Sequence, residues 1–320
     1  MKKRKHLFIK LFLVFILACV VYIIYDNQRF TIITQEIPIA GLPDAFEDYA
    51  ILQISDLHGK YFGDNQQELI HAIRNLDFDC ILLTGDMNKY KESDVQSSGA
   101  VLDLINGIQD MAPIFWVDGN GGPYAIETID GGVTGRLTDF GQLLESMGVQ
   151  VLTEPAEIQK DSQRIWLTPE LSKMELQMNY EESSNDAVVD YGKKLQTWID
   201  RLDGNGEVKI RVSHYPLQGN LTTEDWDNMG YIDYALSIAG HYHGGQIRLP
   251  FYGALYIPCP TAGIGGGFFP DQKEVKGLTM INGMPQYVSA GLGASVSKPL
   301  LGFRAFNTPE VNLLVLKQAS

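Results

Sequence analysis

Three short apolar runs, each ending in a polar signature, organise the first half of the chain. Tyr49 to Ile54 leads into Asp56-Leu57-His58, Cys80 to Thr84 into Gly85-Asp86, and Pro113 to Val117 into Gly119-Asn120. Each run has strand length and is rich in Ile, Leu, Val or aromatic residues. Between the first two, Leu69, Ile73 and Leu76 recur at helical spacing behind a capping box formed by Asn65 and Glu68. The pattern predicts a β-α-β unit. In parallel sheets fed by crossover helices, ligands gather beyond the carboxyl ends of the strands. Asp56, His58, Asp86 and Asn120 all fall at that end, so three loops are expected to bring them to one place. Later, the polar stretch from Glu181 to Asp186 reads as a loop before a helix near Val188 to Leu202.

The amino terminus follows another pattern. Leu7 through Tyr25 is apolar except for Lys10, and this run of about 19 residues nearly spans a hydrocarbon core of about 30 Å. Lys2, Lys3, Arg4 and Lys5 precede it. The excess of positive charge predicts a cytoplasmic amino terminus and a domain on the extracytoplasmic side of the cell membrane. The run is long for a signal-peptide core and no A-x-A site follows, which favours a single-pass anchor. Cys19 only weakly resembles a lipoprotein cleavage site, because Val20 to Tyr25 stay apolar beyond it. The expected organisation is a basic cluster and anchor over residues 1–29, a tether over 30–45, and a domain over 46–320.

Charge sharpens this division. The first 29 residues carry six basic side chains against one acid, so the −14 of the whole chain becomes −19 for the remainder. Such a domain is not expected to bind nucleic acid. Three cysteines, Cys19, Cys80 and Cys259, give no disulfide framework. Three other features read plainly. Gly263 to Gly267 lacks the strand-to-helix context of a phosphate cradle and reads as a flexible loop. His71 lies off the apolar face of its helix. Lys89 and Lys91 read as solvated loop residues.

The second half supplies imidazole. Ser213-His214-Tyr215 and Gly240-His241-Tyr242-His243-Gly244 hold three of the six histidines. With Asp56, His58, Asp86 and Asn120 they make seven oxygen and nitrogen donors and no thiolate, a set suited to Mn, Fe or Zn. Seven donors exceed one tetrahedral shell. A carboxylate such as Asp86 can bridge two ions, and two such ions can clamp the attacking and leaving oxygens of a phosphoryl displacement.

In the order D-x-H, G-D, G-N, H and G-H-x-H, over roughly residues 46 to 318, the chain resembles the calcineurin-like metallophosphoesterase superfamily. Gly240 to Pro250, Tyr287 to Gly293 and Thr308-Pro309-Glu310 are similar to its membrane-associated branch. The resemblance implies a four-layer α/β sandwich of two mixed sheets flanked by helices. It implies that Asp56, His58, Asp86 and His243 hold one divalent ion, and Asp86, Asn120, His214 and His241 another. Asn120 and His214 are the candidate catalytic residues, and a hydroxide held between the ions would be the nucleophile. The third motif departs from the family: where Gly-Asn is followed by His, this chain has Gly121. The missing imidazole is the group that assists the leaving oxygen, and a general acid typically contributes about 10²- to 10⁴-fold. Asp118 before the glycine and Tyr242 between the histidines are smaller departures.

The expected activity is hydrolysis of a phosphate ester, with diesters or phosphoanhydrides favoured, on a phosphorylated small molecule or lipid-linked substrate. The alternative is a membrane-tethered, catalytically weak protein that keeps its metal and binds a phosphorylated ligand or partner. Substrate identity and oligomeric state are not legible in the sequence.

Overall fold

The computed structural model describes residues 2–89, 95–129, 131–181, 183–219, 222–257, 267–295 and 302–319. Two six-stranded sheets dominate it. The first contains β1 (Thr31–Ile39), β2 (Ala50–Ile54), β3 (Cys80–Thr84), β4 (Ile114–Val117), β5 (Val149–Val151) and the last strand, β12 (Glu310–Gln318). Their order is β1-β12-β2-β3-β4-β5, with only the β12–β2 pair antiparallel. The second contains β6 (Ala156–Lys160), β7 (Gln163–Thr168), β8 (Lys209–Val212), β9 (Leu236–Ala239), β10 (Gly277–Ile281) and β11 (Met284–Val288). It runs β10-β11-β9-β8-β7-β6, parallel at its centre and antiparallel in both outermost pairs.

Alternation along these strands sorts side chains into layers. Ile51 and Leu82 face the other sheet, packing with Ile37, Leu314, Ile210 and Ile238. Leu52, Ile54, Ile81 and Leu83 face outward onto α2 (Gln67–Ile73), α3 (Gly99–Ile108) and α4 (Asp139–Ser146). Beyond the second sheet, α5 (Asp186–Leu202) buries Val188, Leu195 and Ile199 against Trp166 and Met284. The result is the expected four-layer α/β sandwich. Gln53 is a buried polar residue on the side facing the other sheet. Its Nε2 donates to Thr84 Oγ1 at 3.0 Å and to the Ala239 carbonyl at 2.8 Å, tying the two sheets together at their ligand-bearing end.

Two expectations are corrected. Residues 30–45 do not form a tether: β1 pairs residue for residue with β12, from Thr31 opposite Glu310 to Ile39 opposite Gln318. It is an edge strand, which explains how Pro38 is tolerated and why only Ile37 and Ile39 are buried. The capping box of Asn65 and Glu68 does not form. Asn65 and Gln66 both have left-handed backbone, and α2 starts without a side-chain cap. Gln66 instead turns inward, accepting from Phe62 N at 3.0 Å and donating to the Lys60 carbonyl at 2.7 Å. It thereby closes the loop that follows Asp56 and His58. The later helix starts at Asp186, capped by Asn185 Oδ1, which accepts from Ala187 N at 3.0 Å.

His71 and Lys89 are exposed and Cys80 is buried in β3. Lys91, Cys259 and Gly263 to Gly266 lie outside the described residues. The helix α1 (Lys2–Gln28) includes a 25-residue segment, Arg4–Gln28, long and apolar enough to cross a membrane.

Candidate metal centre

The seven predicted donors stand where the central parallel strands of both sheets end. Asp56 and His58 follow β2, Asp86 follows β3, Asn120 follows β4, His214 follows β8, and His241 and His243 follow β9. Asp56, His58, Asp86, His241 and His243 all have left-handed backbone, with φ between 49° and 69°. Non-glycine residues adopt this region at a cost of about 1–3 kcal/mol each, which the surrounding fold must offset. The motif glycines allow the approach. A Cβ at Gly119 would lie 2.1 Å from Asp86 Oδ1, and one at Gly240 would lie 2.0 Å from Ser55 Oγ.

Each carboxylate has one oxygen tied and one free of such ties. Asp56 Oδ2 accepts from Ser55 Oγ at 2.6 Å and from His241 N at 3.1 Å, whereas its buried Oδ1 has no hydrogen-bond partner. Asp86 Oδ1 accepts from Gly121 N at 2.7 Å. Its Oδ2 lies 3.5 Å from His58 Nε2 and 3.6 Å from His214 Nε2, between two histidines from different sheets. The donor atoms of Asp56, His58, Asp86 and His243 lie within 4.8 Å of one another.

A second cluster shares Asp86. His214 Nδ1 lies 3.1 Å from the Thr84 carbonyl, which can only accept, so Nδ1 carries a proton and Nε2 is the atom turned toward the site. His214 Nε2 faces Asn120 Oδ1 at 3.0 Å, and His241 Nδ1 lies 3.0 Å away. Buried polar side chains from both sheets converging on one point fit a cation, as does the orphaned Asp56 Oδ1. The donor set therefore fits divalent metal.

Protonation agrees with this fit. Burial lowers His58 to about 4 and His241 to about 3, and holds His243 well below the ordinary range. Each of these rings therefore gives up its proton readily, as a ligand must. Burial raises Asp56 to about 6. Burial pushes Asp86 upward too, but His214, His58 and the Gly121 N–H outweigh it and keep Asp86 below the usual carboxylate range.

Several residues support the donors in ways the sequence did not reveal. Ser55 fixes Asp56. Asp118 accepts from Trp116 Nε1 at 2.8 Å, Ala125 N at 2.9 Å and Ile126 N at 3.0 Å, fastening the loop that carries Asn120 and Gly121. Arg304, buried, donates to the carbonyls of Ala290, Gly293 and Asn307, and Asn307 Nδ2 donates to the His243 carbonyl at 2.7 Å. Tyr215 sets its ring edge against His214 and His241. Of two further tyrosines near the motifs, Tyr242 packs with Ala254, Ile257, Val275 and Val288, whereas the half-exposed Tyr124 hydroxyl donates to the Asn120 carbonyl at 3.1 Å.

Comparison with known proteins agrees with this geometry. The chain is 27% identical over 286 residues to "Uncharacterized metallophosphoesterase YkuE" of Bacillus subtilis (strain 168), covering 87% of this chain and 82% of the relative. It is 25% identical over 274 residues to "Uncharacterized metallophosphoesterase YkoQ" of the same organism, covering 85% and 84%. A crystal structure of a "Putative 5'-Nucleotidase" from Staphylococcus aureus, solved in complex with alpha-ketoglutarate, aligns at a TM-score of 0.40 and 13% identity. That alignment covers 85% of this chain and 55% of the other, so the chain spans about half its length. The family model for calcineurin-like phosphoesterases matches residues 49–245, which include all seven donors. The chain belongs to the calcineurin-like phosphoesterase family and is a metal-dependent phosphoesterase hydrolase.

Proposed function

We propose that the protein is a membrane-anchored phosphoesterase of the family's membrane-associated branch, working with two divalent ions, Mn, Fe or Zn. Its domain stands on the extracytoplasmic side and hydrolyses a phosphate ester, preferentially a diester or phosphoanhydride, of a small molecule or lipid-linked substrate. The observation that carries this reading is Asp86. Its Oδ2 lies between His58 and His214, one from each donor cluster, so a single carboxylate serves both. Asp56, His58, Asp86 and His243 would hold one ion, and Asp86, Asn120, His214 and His241 the other. Bound there, such ions supply Lewis acidity and a water of lowered pKa.

The chain's own groups orient the reaction. Asn120 is the one half-buried donor among six buried ones and stands where a phosphoryl group can enter. Its amide would hold a phosphoryl oxygen. Gly121 gives Asp86 a backbone N–H but no side-chain acid, so leaving groups already stable as anions are expected to depart fastest.

The test is to assay the full chain in detergent with Mn²⁺ against matched alkyl and aryl mono- and diesters, alongside metal analysis. Turnover that rises steeply as leaving-group pKa falls, with about two metals per chain, supports the reading. Tight phosphate-ester binding without turnover would replace it with the binding-protein alternative. Protease added to intact wall-less cells should digest the domain, while the chain stays with membranes after a high-salt wash.

A further inference from the structure

We propose that an aromatic hairpin surface next to the metal centre is a second contact with the bilayer that α1 spans. The chain leaves His243 through a tight turn and forms two small hairpins, Arg248–Leu249 with Gly253–Ala254 and Tyr256–Ile257 with Gly267–Phe268. Their outer side presents Leu249, Phe251, Tyr252, Phe268 and Phe269, all exposed, with Phe268 at 71%, Phe269 at 66% and Phe251 fully exposed. Tyr252 and Phe269 meet edge to face, and Phe268 lies beside Phe269 at 6.4 Å, so these rings form one patch. Phe251 and Phe269 have φ of 70° and 60°. Bulky aromatics rarely adopt this region, so backbone strain is borne here by rings that face outward. A contiguous exposed apolar patch marks an interaction surface.

The anchor points to the occupant. Tyr22, inside the apolar stretch of α1, stacks on Phe306 with ring centroids 5.6 Å apart. Asn27 clasps Arg304 from both sides, its Nδ2 donating to the Arg304 carbonyl at 2.7 Å and its Oδ1 accepting from Arg304 N at 3.2 Å. The same segment is paired with the root of the hairpins. Ala305 N donates to the Gln246 carbonyl at 3.1 Å, and Arg248 N to the Ala305 carbonyl at 2.9 Å. A short backbone bridge thus joins the membrane helix to the aromatic surface, and Phe303 on that bridge is also exposed. Aromatic rings joined this closely to the end of the helix suit the headgroup boundary. Because the domain is strongly acidic, the contact is apolar rather than electrostatic and should persist in high salt. It would hold the metal-bearing loops against the headgroups. The inference rests on the anchoring part of the proposed function.

Nitroxide labels at Phe251→Cys and Phe268→Cys test it, each made separately in the full chain carrying Cys19→Ser and Cys259→Ser. The protein is reconstituted in phosphatidylcholine vesicles, and collisions with oxygen and with a water-soluble nickel chelate are measured. Val14→Cys in α1 and Lys193→Cys on α5 serve as lipid and water references. Labels at both hairpin positions should give an oxygen-to-nickel ratio several-fold above that at position 193, unchanged by 1 M salt. Ratios equal to position 193, with position 14 still in lipid, would overturn the hairpin contact alone. A water-exposed label at position 14 would overturn the anchor itself. Dipolar coupling between copies at position 251, persisting in detergent, would assign the surface to a second copy of the chain and also overturn the proposal.

Discussion

The two donor clusters share Asp86 yet differ in how they are held. The first, with Asp56, His58 and His243, is wholly buried, lies on left-handed backbone, and is braced by Ser55 and by Asn307. The second leans on Asn120, which is half-buried and sits on the loop that Asp118 fastens. Gly121, which the resemblance marked as a departure, lies on that same loop. A cluster that only has to hold charge can be closed and strained. One that must also admit a substrate needs an open side, and there a side chain can change without dismantling the donors.

The largest effect expected from breaking this comparison comes from Asp86→Ala. Bound metal should fall from about two per chain toward none, with activity lost, whereas His58→Ala should retain about one. Elemental analysis of both variants distinguishes these outcomes, and equal losses would mean that the clusters are not joined through Asp86. Next, Gly121→His should keep the backbone N–H that holds Asp86 and so leave metal content unchanged. It should raise turnover of poor leaving groups by about 10- to 100-fold, below the usual general-acid range because the loop was not shaped for a ring. Rates for aryl and alkyl esters measured side by side check it, and an equal gain on both would argue against a role in protonation.

Ser55→Ala sharpens the contrast more gently. It removes the shorter of the two hydrogen bonds that hold Asp56 Oδ2, and loss of such a supporting partner typically weakens metal affinity about 10- to 100-fold. Competition with a chelator should show one weakened site and one unchanged. The smallest effect is on metal-free stability. His58 and His241 titrate near 4 and 3 when folded, against an ordinary value of 6.5. Between pH 6.5 and 4 the unfolded chain binds protons that these folded rings cannot, so stability falls as pH falls through that window. Asp56, raised to about 6, binds its proton in the folded chain first and opposes the trend. With His243 also held low, the histidines should prevail, and the Tm of the metal-free chain should drop from pH 6.5 to 4. Asp56→Asn should steepen that drop.

Much of this was legible because the signals are local. An apolar run followed by Asp-x-His or Gly-Asp states both a strand and what stands at its end, and the seven donors read from the sequence all follow central strands. The 27-residue helix needed only its apolar length and basic flank. Local reasoning failed where polar residues had a distant purpose. Asn65 and Glu68 have the spacing of a cap, but Gln66 is drawn inward by the carbonyls of Lys60 and Ala100. Asp118 looked like a departure from a motif, yet it is the acceptor that fastens the loop carrying Asn120.

The sequence by itself determined the donor types, their order and the apolar span, since side-chain chemistry and hydrophobic periodicity are written residue by residue. Only the tertiary structure decided that Thr31 would pair with Glu310, turning an expected tether into a strand. It also decided that Asn307 would brace His243 across 64 residues, and that Arg304 would meet Asn27 across 277. These contacts depend on which backbone groups the closed sheets leave in need of partners, and that need exists only once the chain has folded.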